Sequence, residues 1–246
     1  MQDAVWVRPV PTKGWHGGQK AETCEEDPTM SDEPSKLTRS KERWAQEGRF
    51  LTGQGAHAES ERLPPGQHRV SNWPVLDLGI RPEVSRERWQ LAVTGAVRKT
   101  LRWNWETFAA RATTETVSDM HCVTTWSRYD NRWIGLPIAE LLDEVQPRDE
   151  ATHVLLHSHD GYITNLPLAD FAAPGAMLVH SWEGQPLTAE HGGPVRALIP
   201  HLYLWKSAKW LRRIDFRVGD TLGFWEMRGY HDRGDPWQEQ RYSEDA

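Results

Sequence analysis

Thr114-Glu115-Thr116-Val117-Ser118-Asp119-Met120-His121-Cys122-Val123-Thr124-Thr125-Trp126-Ser127-Arg128 carries the pattern of a strand that ends on a cysteine. Its first nine residues are rich in β-branched side chains and alternate, which predicts a strand with Cys122 at its exit. The chain has two cysteines, and the other, Cys24, falls in a polar N-terminal stretch. A lone cysteine in a folded region is commonly a small core hydrophobe. At a strand end, directly after His121 and six residues before Arg128, Cys122 has a second reading. Those neighbours would make an electropositive setting that favours thiolate, a soft ligand for a soft or high-valent metal.

About seventy residues downstream come His191-Gly192-Gly193-Pro194-Val195-Arg196 and then Trp205-Lys206-Ser207-Ala208-Lys209-Trp210. Gly192-Gly193-Pro194 fits a tight turn into a strand, and surface charge runs are usually solvated faces. Arg196, however, lies inside the strand pattern Val195–Ile199, where a charge is costly unless it is paired or ligand-bound. Fixed cations beside glycine-freed backbone N–H groups suit a bound phosphate. One thiolate for a metal and one basic cradle for a phosphate together suggest a metal carried on a phosphorylated organic cofactor.

The remaining pattern is mixed. Residues 1 to about 60 are polar without a hydrophobic period and read as a mostly disordered extension, with Met30 as an alternative start and 1–29 resembling upstream sequence. The folded region is expected over 61–246. Strands are expected at Trp89–Val93 (closed by Gly95), Thr114–Cys122, Ala176–Trp182, Val195–Ile199 and Leu211–Val218, and a hairpin at His153–His159 and Tyr162–Leu166 around Asp160-Gly161. Asn104 is placed to cap a short helix from Trp105, and Pro137 to open an amphipathic one through Ile138, Leu141, Leu142 and Val145. No internal repeat and no clean βαβ alternation is present, so the class is α+β, a single mixed domain with mainly β content. The aromatic tail Gly223–Trp237 is expected to pack across the domain near the pocket.

The net charge of −6 gives no long-range attraction to nucleic acid or to an anionic membrane surface. No 18-residue apolar run predicts a membrane span, and no apolar leader or twin-arginine pair opens the chain, so a cytoplasmic protein is expected. Hydrophobic residues are 38% of the chain, and 14 tryptophans offset that low share by burying large areas on few rotatable bonds. Dinucleotide, P-loop, nucleophile-elbow and zinc-protease signatures are absent, as is a haem attachment motif. His153, His157 and His159 lack a fourth ligand at zinc-site spacing.

The blocks HCVTTWSRYDNRWIGLPIAELL, GYITNLPL, HGGPVRALIPHLYLWKSAKWLRRI and GFWEMRGYHDRGDPWQEQRY run in order from about Leu63 to Tyr242. In these blocks the chain resembles the stand-alone, sulfite oxidase-like molybdopterin-binding oxidoreductases of bacteria. The resemblance implies the fold of the sulfite oxidase catalytic domain and a molybdenum–molybdopterin cofactor. It implies Cys122 as the molybdenum ligand, and Arg196 with Ser207, Ala208 and Lys209 as the pterin and phosphate cradle, Lys206 being a weaker candidate. By weaker analogy it puts Asn72, His121, His157 and His191 along the cofactor cleft. The arginine pair that follows the cysteine in sulfite oxidases is reduced here to Arg128. The immunoglobulin-like dimerisation domain and a cytochrome b5-type module are expected to be missing.

The activity implied is oxygen-atom transfer on a small S- or N-oxide or oxyanion substrate, with Arg128 steering that substrate. With no haem, flavin or iron–sulfur motif in the chain, electrons are expected to pass to or from a separate partner. Two alternatives stand beside this reading: a metal-free enzyme with Cys122 as nucleophile, and a non-enzymatic molybdopterin carrier. For the first, His121 is badly placed as a base, since adjacent strand residues point to opposite faces.

Overall fold

The computed structural model describes residues 62–243, and the expectation for residues 1–60 lies outside them. In chain order the strands are β1 (His68–Arg69), β2 (Gln90–Gly95), β3 (Leu101–Asn104), β4 (Thr114–His121), β5 (Trp126–Pro137), β6 (His153–Ser158), β7 (Ile163–Pro167), β8 (Met177–Trp182), β9 (Gln185–Pro186), β10 (Arg196–Leu198) and β11 (Leu211–Arg217). Three short helices join them: α1 (Trp105–Ala109), α2 (Ile138–Val145) and α3 (Leu168–Phe171). One sheet runs β1-β5-β8-β10, with β4 added on β5 and β9 on β8; the other runs β3-β2-β11-β6-β7. The α+β, mainly-β expectation holds.

Local chemistry accounts for most boundaries. The Asn104 side chain accepts from the Thr107 backbone N–H at 3.0 Å and so starts α1 as a cap. Pro137 is the last residue of β5 and the N-cap of α2, one position earlier than its expected place inside the helix. Gly161, with φ of 84°, sits in the turn between β6 and β7, which pair from His157↔Ile163 to His153↔Pro167. Leu91, Val93, Leu156, Ile214 and Phe216 lie buried on the strands of the second sheet. Trp89 ties β2 to β11 through a 2.8 Å bond from Nε1 to the Leu211 carbonyl.

The longest strand, β5, is not evident in the sequence pattern. It reads Trp-Ser-Arg-Tyr-Asp-Asn-Arg-Trp-Ile-Gly-Leu-Pro, and its polar first half hides the alternation. Position explains it: β5 pairs with β4, β8 and β1, so its backbone is satisfied whatever its side chains prefer. β2 and β11 pair in parallel although no crossover helix announces them, since they are far apart in sequence and meet at the middle of the sheet.

Candidate functional site

The hairpin connection from β4 to β5 carries Cys122. The Cys122 N–H donates to the Trp126 carbonyl at 2.8 Å, and the Thr125 N–H returns to the Cys122 carbonyl at 3.0 Å. Thr125 closes this turn with φ of 74°, a left-handed conformation unfavourable for a β-branched residue. Such strain persists where the surroundings over-determine it, and it clusters at functional sites. Cys122 is 5% exposed, and among the described residues the bond of its Sγ is to the Thr124 hydroxyl at 3.0 Å.

Cys122 opens onto a cleft of about 740 Å³, a figure that includes solvent at its mouth. Segment Trp73–Leu78, the Cys122–Trp126 turn, the β6–β7 turn at Asp160 and Tyr162, Arg196 on β10, the loop Leu204–Trp210 and Trp225 all contribute to its wall. The cleft therefore lies where the ends of strands from both sheets converge. Its polar groups are few, and five tryptophans (73, 126, 205, 210 and 225) line it.

Arg196 is 2% exposed, and its guanidinium donates to the carbonyls of His191 and Ser207 at 2.9 Å each and of Ala197 at 3.3 Å. It has no carboxylate partner among the described residues. Burial lowers its pKa to about 10, so it is still charged at neutral pH. Lys209 reaches the Leu76 and Glu190 carbonyls at 2.8 and 2.6 Å. Burial, and after it the charge of Arg196, lowers the Lys209 pKa to about 7. Arg196, and Lys209 in its protonated form, are held by neutral carbonyls in one cleft and leave positive charge that an anion would compensate.

Of the residues expected at the site, the structure brings Cys122, Arg196, Ser207 and Lys209 to the cleft. Ala208 is buried behind it, its carbonyl accepting from the Ala197 N–H at 2.9 Å. His191 stacks on Trp73 with ring centroids 4.0 Å apart and supports Arg196 from behind through its carbonyl. Asn72 is exposed beside Trp73 and is not part of the lining. His157 sits in the other sheet against Arg213 at 3.0 Å, its pKa lowered to about 4 by burial and the arginine charge. Lys206 is fully buried and faces Glu226 at 2.6 Å, so its charge is already matched.

Three expectations need correction on physical grounds. Arg128 does not reach the cleft: it donates to the Ser71 carbonyl at 3.2 Å, Asn131 and Glu183 at 3.3 Å, with its guanidinium 4.7 Å from the centre of the Trp182 ring. His121 supplies no positive charge near neutral pH, because burial lowers its pKa to about 4. The N–H groups of Gly192 and Gly193 are taken by the Ala189 and Thr188 carbonyls at 3.0 and 2.9 Å. Those glycines serve close approach instead: a Cβ on Gly193 would lie 2.3 Å from the Leu187 oxygen, and one on Gly192 2.8 Å from Lys209 Cβ.

Several cleft residues are not singled out by the sequence pattern: Trp73, Asp77, Asp160, Tyr162 and Trp225, drawn together from three segments. The Tyr162 hydroxyl donates to the Trp205 carbonyl at 2.6 Å and fixes the wall. Tyr203 is fully buried outside the cleft wall, with the Gln67 side chain beside its hydroxyl, and it lies within electrostatic reach of Cys122. Only the tail carries a usable signal, its aromatic and turn-residue density, and Trp225 is where it meets the cleft.

The family model for the oxidoreductase molybdopterin binding domain matches residues 78–225. The chain belongs to that family. It is 45% identical over 188 residues to the uncharacterized oxidoreductase YuiH of Bacillus subtilis, covering 76% of this chain and 95% of that protein. It is 31% identical over 144 residues to the catalytic subunit of a protein-methionine-sulfoxide reductase from Gluconobacter oxydans, covering 51% of this chain and 46% of the relative. The sulfane dehydrogenase SoxCD of Paracoccus pantotrophus shares the fold at a TM-score of 0.52 and 21% identity, over 56% of this chain and 40% of that one. The chain is therefore a molybdopterin-binding oxidoreductase of the sulfite oxidase-like type. It spans nearly all of YuiH but about half of the reductase subunit. Among the described residues no helix is long and apolar enough to cross a membrane.

Proposed function

We propose that the cleft holds molybdenum–molybdopterin with the Cys122 thiolate as the protein ligand to the metal, and that the enzyme transfers an oxygen atom to or from a small molecule. The observation that carries this reading is the pairing, in one cleft, of a buried thiol with the carboxylate-free guanidinium of Arg196. The residues fit the group on two counts. Arg196 and Lys209 offer matched charge to a phosphate, and Ser207 lies between them in the wall. Cys122 presents a soft donor on a tight turn that fixes its direction.

When bound, the cofactor supplies two-electron chemistry in which an oxygen atom is exchanged with water's oxygen; the protein positions and tunes it. Cys122 fixes the metal, and the Thr124 hydroxyl, 3.0 Å from Sγ, donates to the thiolate and tempers its donor strength. The tryptophan walls exclude water from the space above Cys122. Electrons pass to or from a separate protein.

No imidazole hydrogen-bonds to Cys122 among the described residues, and the turn places His121 against Ser127 Oγ at 2.9 Å. This disfavours the metal-free nucleophile, which needs a base within reach. The test is elemental analysis of protein made in a molybdenum-replete host that synthesises the cofactor, beside Cys122→Ala. Near-stoichiometric molybdenum that drops sharply in the variant supports the reading. Protein with neither molybdenum nor a fluorescent pterin oxidation product overturns it.

A further inference from the structure

We infer that the outward face of the second sheet, turned away from the core, is the docking surface for a small acidic electron-transfer protein that serves the cofactor. This rests on the proposed cofactor site and its separate electron partner, and concerns a surface outside the cleft. Strand register sets one row of side chains across the sheet: Arg102 opposite Ala92, Ala92 opposite Arg213, Arg213 opposite His157, and His157 opposite Ile163. Their chain neighbours Leu91, Val93, Ile214 and Leu156 are buried on the inward side, so this row points outward. A register shift between Leu211 and Arg213 marks a bulge at Arg212, and bulges re-aim side chains. Leu211 is buried while Arg212 is exposed and Arg213 partly exposed, so two consecutive arginines share the outward side. Arg217 is exposed farther along the same strand.

The five strands of this sheet carry four arginines and a single carboxylate, that of Asp215, in a chain whose net charge is −6. Asp215 is taken by Arg217 at 3.3 Å and by the Thr94 hydroxyl at 3.0 Å. The other three arginines donate only to neutral groups among the described residues. Arg102 reaches the Gln90 side chain at 3.1 Å, Arg212 the Ser158 carbonyl at 2.9 Å and Arg213 the His157 ring at 3.0 Å. His157 adds no charge, since burial and then the charges of Arg213, Arg212 and Arg217 hold it neutral. Guanidinium groups set around Ala92 and Ile163 have the composition of an interface, where arginine is enriched. The face also adjoins the site. β11 starts directly after Trp210 and β6 leads into Asp160; both residues line the cleft, and the His159 N–H donates to the Trp210 carbonyl at 2.9 Å. A carrier seated over Arg212 and Arg213 is therefore held beside the cleft, and an acidic surface on it would be steered and oriented by them. A second copy of this chain fits badly, because a two-fold pairing would set arginines against arginines.

Transfer of one oxygen atom moves two electrons, so two one-electron carriers dock in turn. In the reductive direction each carrier is oxidised once, and the oxygen leaves with two protons as water. The test uses the full chain, with molybdenum measured on the same sample. The probe is a negatively charged 2Fe–2S ferredoxin, and positively charged cytochrome c is its counterpart. Wild type should bind the ferredoxin at low salt and more weakly as salt rises. Arg212→Glu with Arg213→Glu should weaken that binding by about tenfold or more, and should slow reduction of the loaded enzyme by reduced ferredoxin by a similar factor. Arg102→Glu with Arg217→Glu, at two exposed positions, should do the same and guards against misfolding of the first pair. Arg98→Glu with Lys99→Glu changes the net charge equally at residues already paired with Asp149 and Glu144, and should change both readings far less. Equal losses in all three variants, no loss on reversal, or cytochrome c bound as tightly as ferredoxin overturns the inference. Self-association that the same reversals abolish, or tighter binding of a DNA duplex, would give the face to those occupants and also overturns it. Protein without molybdenum overturns the cofactor reading and this inference together. Molybdenum-loaded protein that fails the binding comparison overturns this inference alone.

Discussion

His121 and Cys122 are covalent neighbours with opposite surroundings: the imidazole packs inward beside Ser127 and Trp237, while the thiol faces the cleft. Burial lowers the His121 pKa to about 4, so folding favours its neutral form. Between pH 4 and the ordinary histidine value near 6.5 the unfolded chain binds the proton and the folded one does not. His121 therefore contributes full stability above about pH 6.5, and that contribution is lost as pH falls toward 4. At about 1.4 kcal/mol per pH unit, the fold should lose about 3 kcal/mol at pH 4 relative to pH 7 through this residue. His157 acts in the same direction with less weight, being only partly buried. Urea midpoints of the wild type and His121→Asn at pH 7 and pH 4 check this. A pH-induced loss of equal size in both proteins would remove His121 as its source. Sequence could place His121 on the face opposite Cys122, because side chains alternate along a strand, but it could not give the burial that removes its charge. Arg196 was legible for the converse reason: a charge inside an apolar strand pattern itself signals a ligand or a buried partner.

At the scale of elements, strands with a clean period were legible, whereas β5 was not, because its identity comes from pairing and not from its own residues. Gly135 shows how tightly that pairing is specified. A Cβ there would lie 2.2 Å from the Leu178 oxygen and 2.8 Å from Val179 Cα, so β5 and β8 meet only over a bare backbone. Gly161, in the turn between β6 and β7, has φ of 84° and open space around its missing Cβ. The two glycines should therefore respond differently to alanine. Gly161→Ala carries only the left-handed backbone penalty, about 1 kcal/mol. Gly135→Ala must push two strands apart in the sheet that ends on the Cys122 turn, and should cost about 4 kcal/mol or prevent folding. Thermal melts of both variants decide it, and equal losses would mean that the β5–β8 contact yields more easily than its spacing implies. The glycine pair before Pro194 teaches the same lesson: their value is room for the Lys209 stem and the Leu187 carbonyl, not free N–H groups.

Across the whole molecule, the C-terminal segment closes the site, and an ion pair in the interior fastens it. Glu226 and Lys206 are both fully buried, 2.6 Å apart. Glu226 also accepts from the Trp205 indole at 3.0 Å and the Thr164 hydroxyl at 2.9 Å, and Lys206 donates to the Asn165 carbonyl at 2.9 Å and to the carbonyl of Asp232. The tail is thus anchored at two points to β7 and to the Trp205 wall of the cleft. Its aromatic density announced that it packs, but nothing in sequence separated Lys206 from Lys209, three residues away. One is matched by a carboxylate from a segment twenty residues later, the other by carbonyls alone, and only the tertiary path of the chain decides which. Burial lowers the Lys206 pKa, and the nearby Glu226 works against that shift. Breaking the pair from one side should be worse than removing it. Glu226→Gln leaves a buried ammonium without its counter-charge and should destabilise the fold by about 3–5 kcal/mol. The double variant Lys206→Met, Glu226→Leu should lose clearly less than the sum of the single losses, although the Trp205 indole and the Thr164 hydroxyl then lack an acceptor. Denaturant unfolding of the four proteins in this cycle measures the coupling. Additive losses would show that the two charges do not support each other and that the tail is held by its aromatic packing instead.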